Sequence, residues 1–176
     1  STYLTLAWKK VSGASGYRIY RYNEATEAYE IVKTLTSGST VSYKITGLAA
    51  AEEYQFKVRA YRKVDGVSTW GSSSAAYKDS TKPGQTKSLK ASSKSSAVTL
   101  TWNKVTRASG YQVYRYNSKT KKYEKLATVK GNTTFSYKNT KLKKGTTVKY
   151  KVRAYKTYNG TNYYGAFSDI VSIKVK

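Results

Sequence analysis

The chain has 176 residues, 39% of them hydrophobic, which supplies enough apolar surface for one large domain or two of modest size. It contains no cysteine, histidine or methionine, and this excludes disulfides, thiol or imidazole catalysis and the usual zinc and haem ligands. The formal net charge is +24, and residues 82–176 hold 22 basic against 2 acidic side chains, whereas residues 1–81 hold 11 against 7. The two halves must therefore differ in how they attract an anionic partner.

Short runs of alternating apolar and polar residues follow one another along the first half. The runs "ASGYRIYRYN" (14–23) and "FKVRAY" (56–61) have the period of two of a half-buried strand, and turn-forming residues separate them. The pair Asp65-Gly66 comes next and is typical of a tight hairpin turn. Residues 78–87 contain the only proline and are predicted to form a short joint to a second domain.

The second half repeats the first at an offset of 94 residues. The stretch "ASGYQVYRYN" (108–117) is identical to "ASGYRIYRYN" at eight of ten positions, and "KVRAY" recurs unchanged at 151–155. Each copy has a tryptophan near its start, several short strand-like runs and no helical periodicity. The sequence therefore predicts an all-β chain of two β-sandwich domains, residues 1–80 and 81–176.

Each copy resembles a fibronectin type III domain of the kind found in secreted and surface proteins of Gram-positive bacteria. The matching elements of the second copy are "LTW" ending at Trp102, "ASGYQVYRYN", Leu142 and "YKVRAY" (150–155), and all four have counterparts in the first copy. The resemblance implies two consecutive seven-stranded, immunoglobulin-like sandwiches in a secreted or cell-surface protein. Flanking domains of the same polypeptide are then the first expected partners.

Two departures from the family pattern lead to further expectations. In the family, a tyrosine usually stands six residues after the leucine that corresponds to Leu48 and Leu142, and its hydroxyl closes a corner onto the backbone. Tyr54 fits this pattern, but the second copy has Val148 at that position. That second corner is expected to be held by packing alone. The second copy also has a first strand around residues 86–91, and its counterpart would precede Ser1. The first copy is thus expected to lack strand A and to expose strand B as an edge, as in a fragment of a longer protein.

No catalytic residue, metal site or cofactor is predicted. The second copy contains only two acids, Glu124 and Asp169, which offers little to a mechanism that needs paired carboxylates. Glu30 and Glu124 occupy matching positions, and we interpret them as cross-strand partners of a neighbouring Lys or Arg rather than as general acids. No apolar run approaches the roughly 18 residues of a spanning helix.

Alternation along the strands predicts an outward-facing set of aromatic and cationic side chains. Tyr17 and Ile19 should point to one face and Arg18, Tyr20 and Tyr22 to the other. If strands C and F are neighbours, as the resemblance implies, the second copy presents an exposed ladder of Tyr114, Tyr116, Lys151, Arg153 and Tyr155. We favour a structural interpretation, in which cationic side chains pack over the rings. The alternative is a platform for sugar rings, to which Tyr163 and Tyr164 would contribute.

Two groups of lysines distinguish the second copy from the first. They replace neutral or acidic residues around the C to C′ turn and in the loop before strand F, and they comprise Lys119, Lys121, Lys122, Lys125, Lys141, Lys143 and Lys144. Such clusters indicate either a solubilising surface or a binding site for a polyanion, such as teichoic acid or an acidic polysaccharide.

The sequence as a whole predicts a non-enzymatic spacer or interaction module of a larger extracellular bacterial protein. The basic second copy would add weak, salt-sensitive adhesion to an anionic cell-wall polymer. The alternative is a carbohydrate-binding accessory module of a secreted glycoside hydrolase that uses the exposed tyrosines. Nucleic acid would match the charge, but the sequence shows no helix-turn-helix, RNP or zinc module, and nucleic acid is not the expected partner.

Overall fold

The computed structural model describes residues 2–176, and the chain divides into two compact units, Ser1–Thr81 and Lys82–Lys176. All the regular secondary structure between residues 2 and 176 is β-strand, in agreement with the all-β prediction. This part of the chain contains no helix of the length and apolarity that crossing a membrane requires.

The first unit contains seven strand segments that form two antiparallel sheets. They are β1 (Tyr3–Ala7), β2 (Gly16–Asn23), β3 (Ala28–Leu35), β4 (Ser42–Thr46), β5 (Glu53–Val64), β6 (Val67–Ser73) and β7 (Tyr77–Ser80). One sheet has only two strands, β1 and β4, and the other has the order β3-β2-β5-β6 with β7 also paired to β5.

The second unit repeats this arrangement and adds one strand to the smaller sheet. Its strands are β8 (Lys90–Lys94), β9 (Ala97–Thr101), β10 (Gly110–Asn117), β11 (Lys122–Lys130), β12 (Ser136–Asn139), β13 (Thr147–Tyr158), β14 (Thr161–Tyr164) and β15 (Val171–Lys174). The smaller sheet has the order β12-β9-β8, and the larger has the order β11-β10-β13-β14 with β15 paired to β13. Strand β8 is the strand A expected in this copy. Within residues 2–81, β1 pairs with β4 alone.

The tyrosine of the repeated "ASGY" stretch is a core residue in both units. Tyr111 is buried, its ring centroid lies 5.3 Å from that of Trp102, and its hydroxyl accepts a 2.8 Å hydrogen bond from the backbone N–H of Val105. Burial raises the pKa of Tyr111, and the hydrogen bond from Val105 acts in the opposite direction. Tyr17 has the same position beside Trp8, with its ring 5.3 Å away. The predicted alternation of this strand is thus confirmed.

A serine interrupts the last strand of each unit. The backbone N–H of Ser168 donates to the Val152 carbonyl at 2.7 Å, while the Ser168 hydroxyl accepts from the Val152 N–H at 3.0 Å. Ser74 makes the same two bonds with Val58, at 2.8 and 3.0 Å. Because this serine occupies both backbone groups of its partner, the final strand is split into β6 and β7 in one unit and into β14 and β15 in the other.

The turn prediction is confirmed, the division between the two units falls within the predicted joint, and one strand boundary differs from the expectation. Asp65 and Gly66 have φ angles of 49° and 83° and connect β5 to β6, as a hairpin turn of this composition should. Asn159 and Gly160, at the equivalent positions of the second unit, have φ angles of 45° and 74° and connect β13 to β14. The first strand of the second unit is predicted around residues 86–91, but the observed strand β8 spans Lys90–Lys94. Thr86 is buried and lies outside any strand. The predicted joint at residues 78–87 overlaps β7, whose neighbour Thr81 donates a 2.6 Å hydrogen bond to the Ala49 carbonyl.

The corner expectation is right for the first unit and incomplete for the second. The Tyr54 hydroxyl accepts a 2.8 Å hydrogen bond from the backbone N–H of Ala49. In the second unit Val148 packs against the core, as expected, but packing does not act alone. The side-chain amide of Asn139 donates a 2.8 Å hydrogen bond to the hydroxyl of Tyr150, and both residues are buried. This bond connects β12 to β13, the strands on either side of the loop.

Candidate functional site

Arg153 lies at the centre of the outward-facing ladder, and aromatic rings surround its guanidinium group. The guanidinium carbon is 3.9 Å from the ring centroid of Tyr164, 4.9 Å from that of Phe167 and 5.3 Å from that of Tyr114. The same group donates hydrogen bonds to Gln112 Oε1 at 2.9 and 3.1 Å and to the Tyr114 hydroxyl at 2.8 Å. The aromatic rings and the Arg153 guanidinium therefore form cation–π contacts with each other within the protein.

Two lysines on the same strand extend this alternation of cations and rings. The Nζ atom of Lys151 lies 4.0 Å from the ring centroid of Phe167 and 4.5 Å from that of Tyr123. Lys149 lies 5.7 Å from the ring of Tyr116, which packs against Tyr123 at 5.3 Å. Burial raises the pKa of Tyr123, with a smaller contribution from Tyr116. Phe167 joins the cations at the centre of the ladder, although the sequence analysis did not single it out.

Tyr155 does not belong to an exposed platform, and this part of the prediction is wrong. It points away from the core as alternation requires, but it is only 8% exposed because it lies over Gly110 on the neighbouring strand. A Cβ atom at Gly110 would come within 2.7 Å of the Tyr155 hydroxyl. In the first unit, Tyr61 covers Gly16 in the same way. The glycine provides the space that the outward tyrosine fills.

The first unit has a similar arrangement of cations and rings with different residues. The guanidinium carbons of Arg18 and Arg59 lie 4.1 and 5.7 Å from the ring of Trp70, and Lys57 lies 4.3 Å from the ring of Tyr29. Because both units place cations against these rings, the geometry favours the structural interpretation of the ladder over a stacking surface for sugars. Of the two tyrosines expected to extend the platform, Tyr164 takes part in the Arg153 site, and Tyr163 is half-buried opposite Lys156.

The two lysine groups, which are separated in sequence, come to the same end of the second unit. Strand β10 runs antiparallel to β13 with Arg115 opposite Tyr150, so the turn after β10 and the loop before β13 leave the sheet at one end. The backbone N–H of Leu142 in that loop donates a 2.9 Å hydrogen bond to the Ser96 carbonyl, which fixes the loop against the turn between β8 and β9. Six of the seven predicted lysines lie here and are exposed; we call this set the lysine end, and it comprises Lys119, Lys121, Lys122, Lys141, Lys143 and Lys144.

The seventh predicted lysine is further from this end. Lys125 is exposed and lies opposite Tyr114, three residues along β11 from Lys122. At the equivalent end, the first unit has Ala25, Glu27, Ala28, Gly47, Ala49 and Ala50. The concentration of charge is therefore a property of the second unit and not of the repeated fold.

Glu124, one of the two acids in residues 82–176, lies beside the lysine end and organises a turn. Glu124 lies opposite Arg115 in the strand register, but its carboxylate accepts hydrogen bonds from Asn117 Nδ2, at 3.0 Å to each oxygen, and from the Thr120 hydroxyl at 2.7 Å. These bonds, first from Asn117 and then from Thr120, hold the pKa of Glu124 below its ordinary value, and Arg115 adds a smaller effect. The cross-strand arginine is present as predicted, whereas the hydrogen bonds come from the turn.

Comparisons with known proteins identify the fold. The fibronectin type III domain family matches residues 1–75. A two-domain fibronectin type III segment of chicken tenascin is similar in structure over 99% of this chain and 92% of its own, with a TM-score of 0.54 and 20% sequence identity. The FN1-FN3 domains of chicken CNTN1 match over 99% of this chain and 60% of their own, with a TM-score of 0.45 and 22% identity. No curated protein sequence gives a significant match.

Both units have the fibronectin type III fold. The family match covers most of the first unit, and the two-domain structural match extends the same fold over the second. Domains of this family are commonly non-catalytic interaction or spacer modules and typically occur in extracellular proteins.

Proposed function

We propose that this tandem of fibronectin type III domains is a non-catalytic spacer and adhesion module, whose second domain binds an anionic polymer through the lysine end. The observation that carries this proposal is the convergence of six exposed lysines from two distant segments on one end of one domain. The partner is a polyanion of a bacterial surface, with teichoic acid as the first choice. The two domains also separate the flanking parts of a longer polypeptide.

The backbone at Lys141 supports a role for its side chain. Lys141 has a φ of 56°, in the left-handed region that non-glycine residues enter at a cost of about 1–2 kcal/mol. The first domain has Gly47 at the equivalent position, with a φ of 74°. Lysine thus occupies a backbone conformation that glycine adopts at lower cost, and its side chain adds a charge at this point of the loop.

Electrostatics also favours a polymer over a small ligand. The lysines are exposed, and of the two acids in residues 82–176, Glu124 is already bonded to the turn beside them. Six like charges on adjoining loops produce a positive potential that an extended chain of negative charges can match along its length. Because exposed charges are screened over about 8 Å at physiological ionic strength, binding should be much stronger at low salt.

The test is a ¹⁵N NMR titration of the intact chain with wall teichoic acid and, separately, with a neutral oligosaccharide, each at low and near-physiological salt. We expect teichoic acid to shift the amides of residues 118–125 and 140–146 and the neutral sugar to shift none. Shifts at Tyr114, Tyr116 and Tyr164 with the neutral sugar would instead support the carbohydrate-binding alternative.

Two variants of equal charge make the test specific. Replacing Lys141, Lys143 and Lys144 with the first domain's residues (K141G, K143A and K144A) should weaken teichoic acid binding at least tenfold at low salt. The control removes three exposed lysines elsewhere in the same domain (K87A, K104A and K130A). If both variants lose the same affinity, binding follows net charge alone and the lysine end is not a site.

A further inference from the structure

The smaller sheets of the two domains differ on their outer faces in two ways: the second has the additional strand β8, and the first has a tyrosine ring over a lysine. In the first domain, the ring of Tyr3 on β1 lies 3.9 Å from Nζ of Lys44 on β4. The offset of 94 residues places Ala97 and Lys138 at these positions in the second domain. The lysine is thus present in both domains, whereas Ala97, which is itself only 7% exposed, offers no ring to cover it.

A hollow of about 660 Å³ occupies this place in the second domain. The ammonium-bearing side chains of Lys94 on β8 and Lys138 on β12 line it from either side of β9. Strand register places Ser92 and Lys138 on the two sides of Thr99, which also lines the hollow. The face is outward because the alternate residues of β9, such as Leu100, are fully buried.

Most polar side chains that line this hollow are exposed, and one of them is bonded within the protein: the Ser93 hydroxyl donates to the Ala97 carbonyl at 3.1 Å and accepts from the backbone N–H of Lys176 at 2.9 Å. Within residues 2–176, no hydrogen bond engages the hydroxyls of Ser92, Thr99 or Thr140, and no acidic side chain lines the hollow beside the two lysines. Hydroxyls can donate or accept, whereas ammonium groups only donate. A ligand that satisfies all of them must therefore be an acceptor with negative charge.

From this set of donors we infer that the hollow between Lys94 and Lys138 binds the tetrahedral oxyanion, a phosphate or sulfate ester, of an extended polymer. Several oxygens arranged around one centre can accept from donors that line the hollow on three strands, and hydrogen bonds between ionised partners are the stronger kind. The volume falls within the range of about 300–1,000 Å³ for ligand sites. It is thus large enough for the ester and the unit of polymer attached to it.

The hollow adjoins the lysine end, and the inference deepens the proposed function while resting on it only for the identity of the polymer. Thr140 lines the hollow and is followed by Lys141, and the neighbouring Leu142 N–H donates to the Ser96 carbonyl in the turn after Lys94. A polymer with one ester group in the hollow can therefore continue along the loop that carries Lys141, Lys143 and Lys144. The hollow supplies a defined seat, and the lysine end supplies longer-range attraction.

The experiment follows amide shifts of residues 92–99 and 136–140 in the intact chain during titration with inorganic phosphate, inorganic sulfate and acetate at constant ionic strength. We expect saturable shifts with phosphate or sulfate and at least tenfold weaker binding of acetate. A preference between the two tetrahedral anions identifies which ester the polymer carries. Equal binding of acetate, or the absence of shifts with both tetrahedral anions, would overturn the inference.

Ala97→Tyr tests the hollow without changing any charge. It restores the ring that covers the equivalent lysine in the first domain, and we expect it to weaken phosphate binding at least tenfold while leaving the lysine end intact. K94Q/K138Q should have the same effect, with K87Q/K104Q as the control of equal charge. Phosphate affinity that is unchanged in both A97Y and K94Q/K138Q would contradict the inference.

The lysine-end variant separates this inference from the proposed function. In the variant that combines K141G, K143A and K144A, inorganic phosphate should still shift the amide signals of residues 92–99, although the polymer binds weakly. If teichoic acid fails to bind the wild-type chain but phosphate occupies the hollow, the proposed polymer is wrong and the site stands. If the polymer binds but phosphate and sulfate do not, the proposed function stands and the site is wrong.

Discussion

Asn139 and Tyr150 form a buried polar pair in the second domain where the first domain has the apolar pair Ile45 and Phe56. The amide of Asn139 donates to the Tyr150 hydroxyl at 2.8 Å, and the Tyr150 side chain is completely buried. Ile45 is 5% exposed and Phe56 is completely buried at the positions 94 residues earlier. The same pair of positions in the fold therefore holds a hydrogen-bonded polar pair in one domain and an apolar pair in the other, and neither pair leaves a buried polar group without a partner.

Breaking this pair from either side should destabilise the second domain, whereas replacing both members should not. Asn139→Ile leaves the Tyr150 hydroxyl without its donor, and Tyr150→Phe leaves the Asn139 amide without its acceptor; each should cost about 1–3 kcal/mol. The double variant reproduces the first domain's pair and should return to within about 1 kcal/mol of the wild type. Urea unfolding followed by hydrogen exchange of the second domain's amides measures all three, and additive costs would contradict the prediction.

Alkaline pH should destabilise the second domain through its buried tyrosines. Burial raises the pKa of Tyr150 and of Tyr111, while the bond from Asn139 opposes the shift at Tyr150. A group with a raised folded-state pKa contributes stability that is complete below its unfolded value, about 10, and is lost as pH rises through the folded value. Stability should therefore fall above about pH 10, and it should fall less steeply in the Asn139→Ile, Tyr150→Phe double variant. Unfolding midpoints measured across this range provide the test; equal slopes would contradict it.

Gly110 should not tolerate even the smallest side chain. A Cβ atom there would meet the Val129 carbonyl of the adjacent strand and the Tyr155 hydroxyl, and a backbone carbonyl cannot move aside as a side chain can. We expect Gly110→Ala to cost about 1–3 kcal/mol, as overpacking does in other proteins. Gly84→Ala is the control, because its nearest neighbour would be 4.0 Å away. Thermal unfolding of the two variants should separate them clearly, and equal loss in both would refute the steric explanation.

Arg153 should not be replaceable by lysine. The planar guanidinium of Arg153 donates two hydrogen bonds to Gln112 Oε1 while it lies against the ring of Tyr164. A lysine keeps the charge, but its ammonium group is not planar and cannot make both kinds of contact. We expect Arg153→Lys to destabilise the second domain by about 1–2 kcal/mol, since a buried acceptor loses charged donors. Lys130→Arg, at an exposed position, is the comparison for a lysine–arginine exchange without such contacts. If Arg153→Lys leaves the free energy of unfolding unchanged in urea, the contacts of the Arg153 guanidinium contribute to stability through its charge alone.

Local sequence chemistry was sufficient for the strands and for the turns. The period of two around Tyr111 and Val113 identified the buried face, and Asp65-Gly66 identified a hairpin, because both depend on neighbouring residues only. Tyr155 shows where this reasoning stops. Alternation gave its direction correctly, but its burial depends on Gly110 in another strand, which one strand's pattern does not report.

The contacts that the sequence analysis missed come from irregular segments. Phe167 reaches the cations of β13 from the interruption between β14 and β15, which Ser168 creates by bonding to Val152. No periodic pattern predicts such a break. The hollow beside Lys138 was equally hidden, since residues of three strands line it and Ala97 stands where the first domain has Tyr3. Aligning the two copies residue by residue supplies that signal, because Tyr3 and Ala97 are then directly compared.

The different pairs at Ile45–Phe56 and Asn139–Tyr150 also bear on how two such similar neighbours fold without exchanging strands. The segments "KVRAY" at 57–61 and 151–155 are identical, so the strands that carry them could be swapped during folding with little change in their surface contacts. A swapped β5 would place Phe56 against Asn139, and a swapped β13 would place Tyr150 against Ile45. Each exchange would bury a polar group without a partner, at about 1–3 kcal/mol apiece. The Asn139–Tyr150 hydrogen bond therefore favours the pairing of β5 and β13 with strands of their own domains.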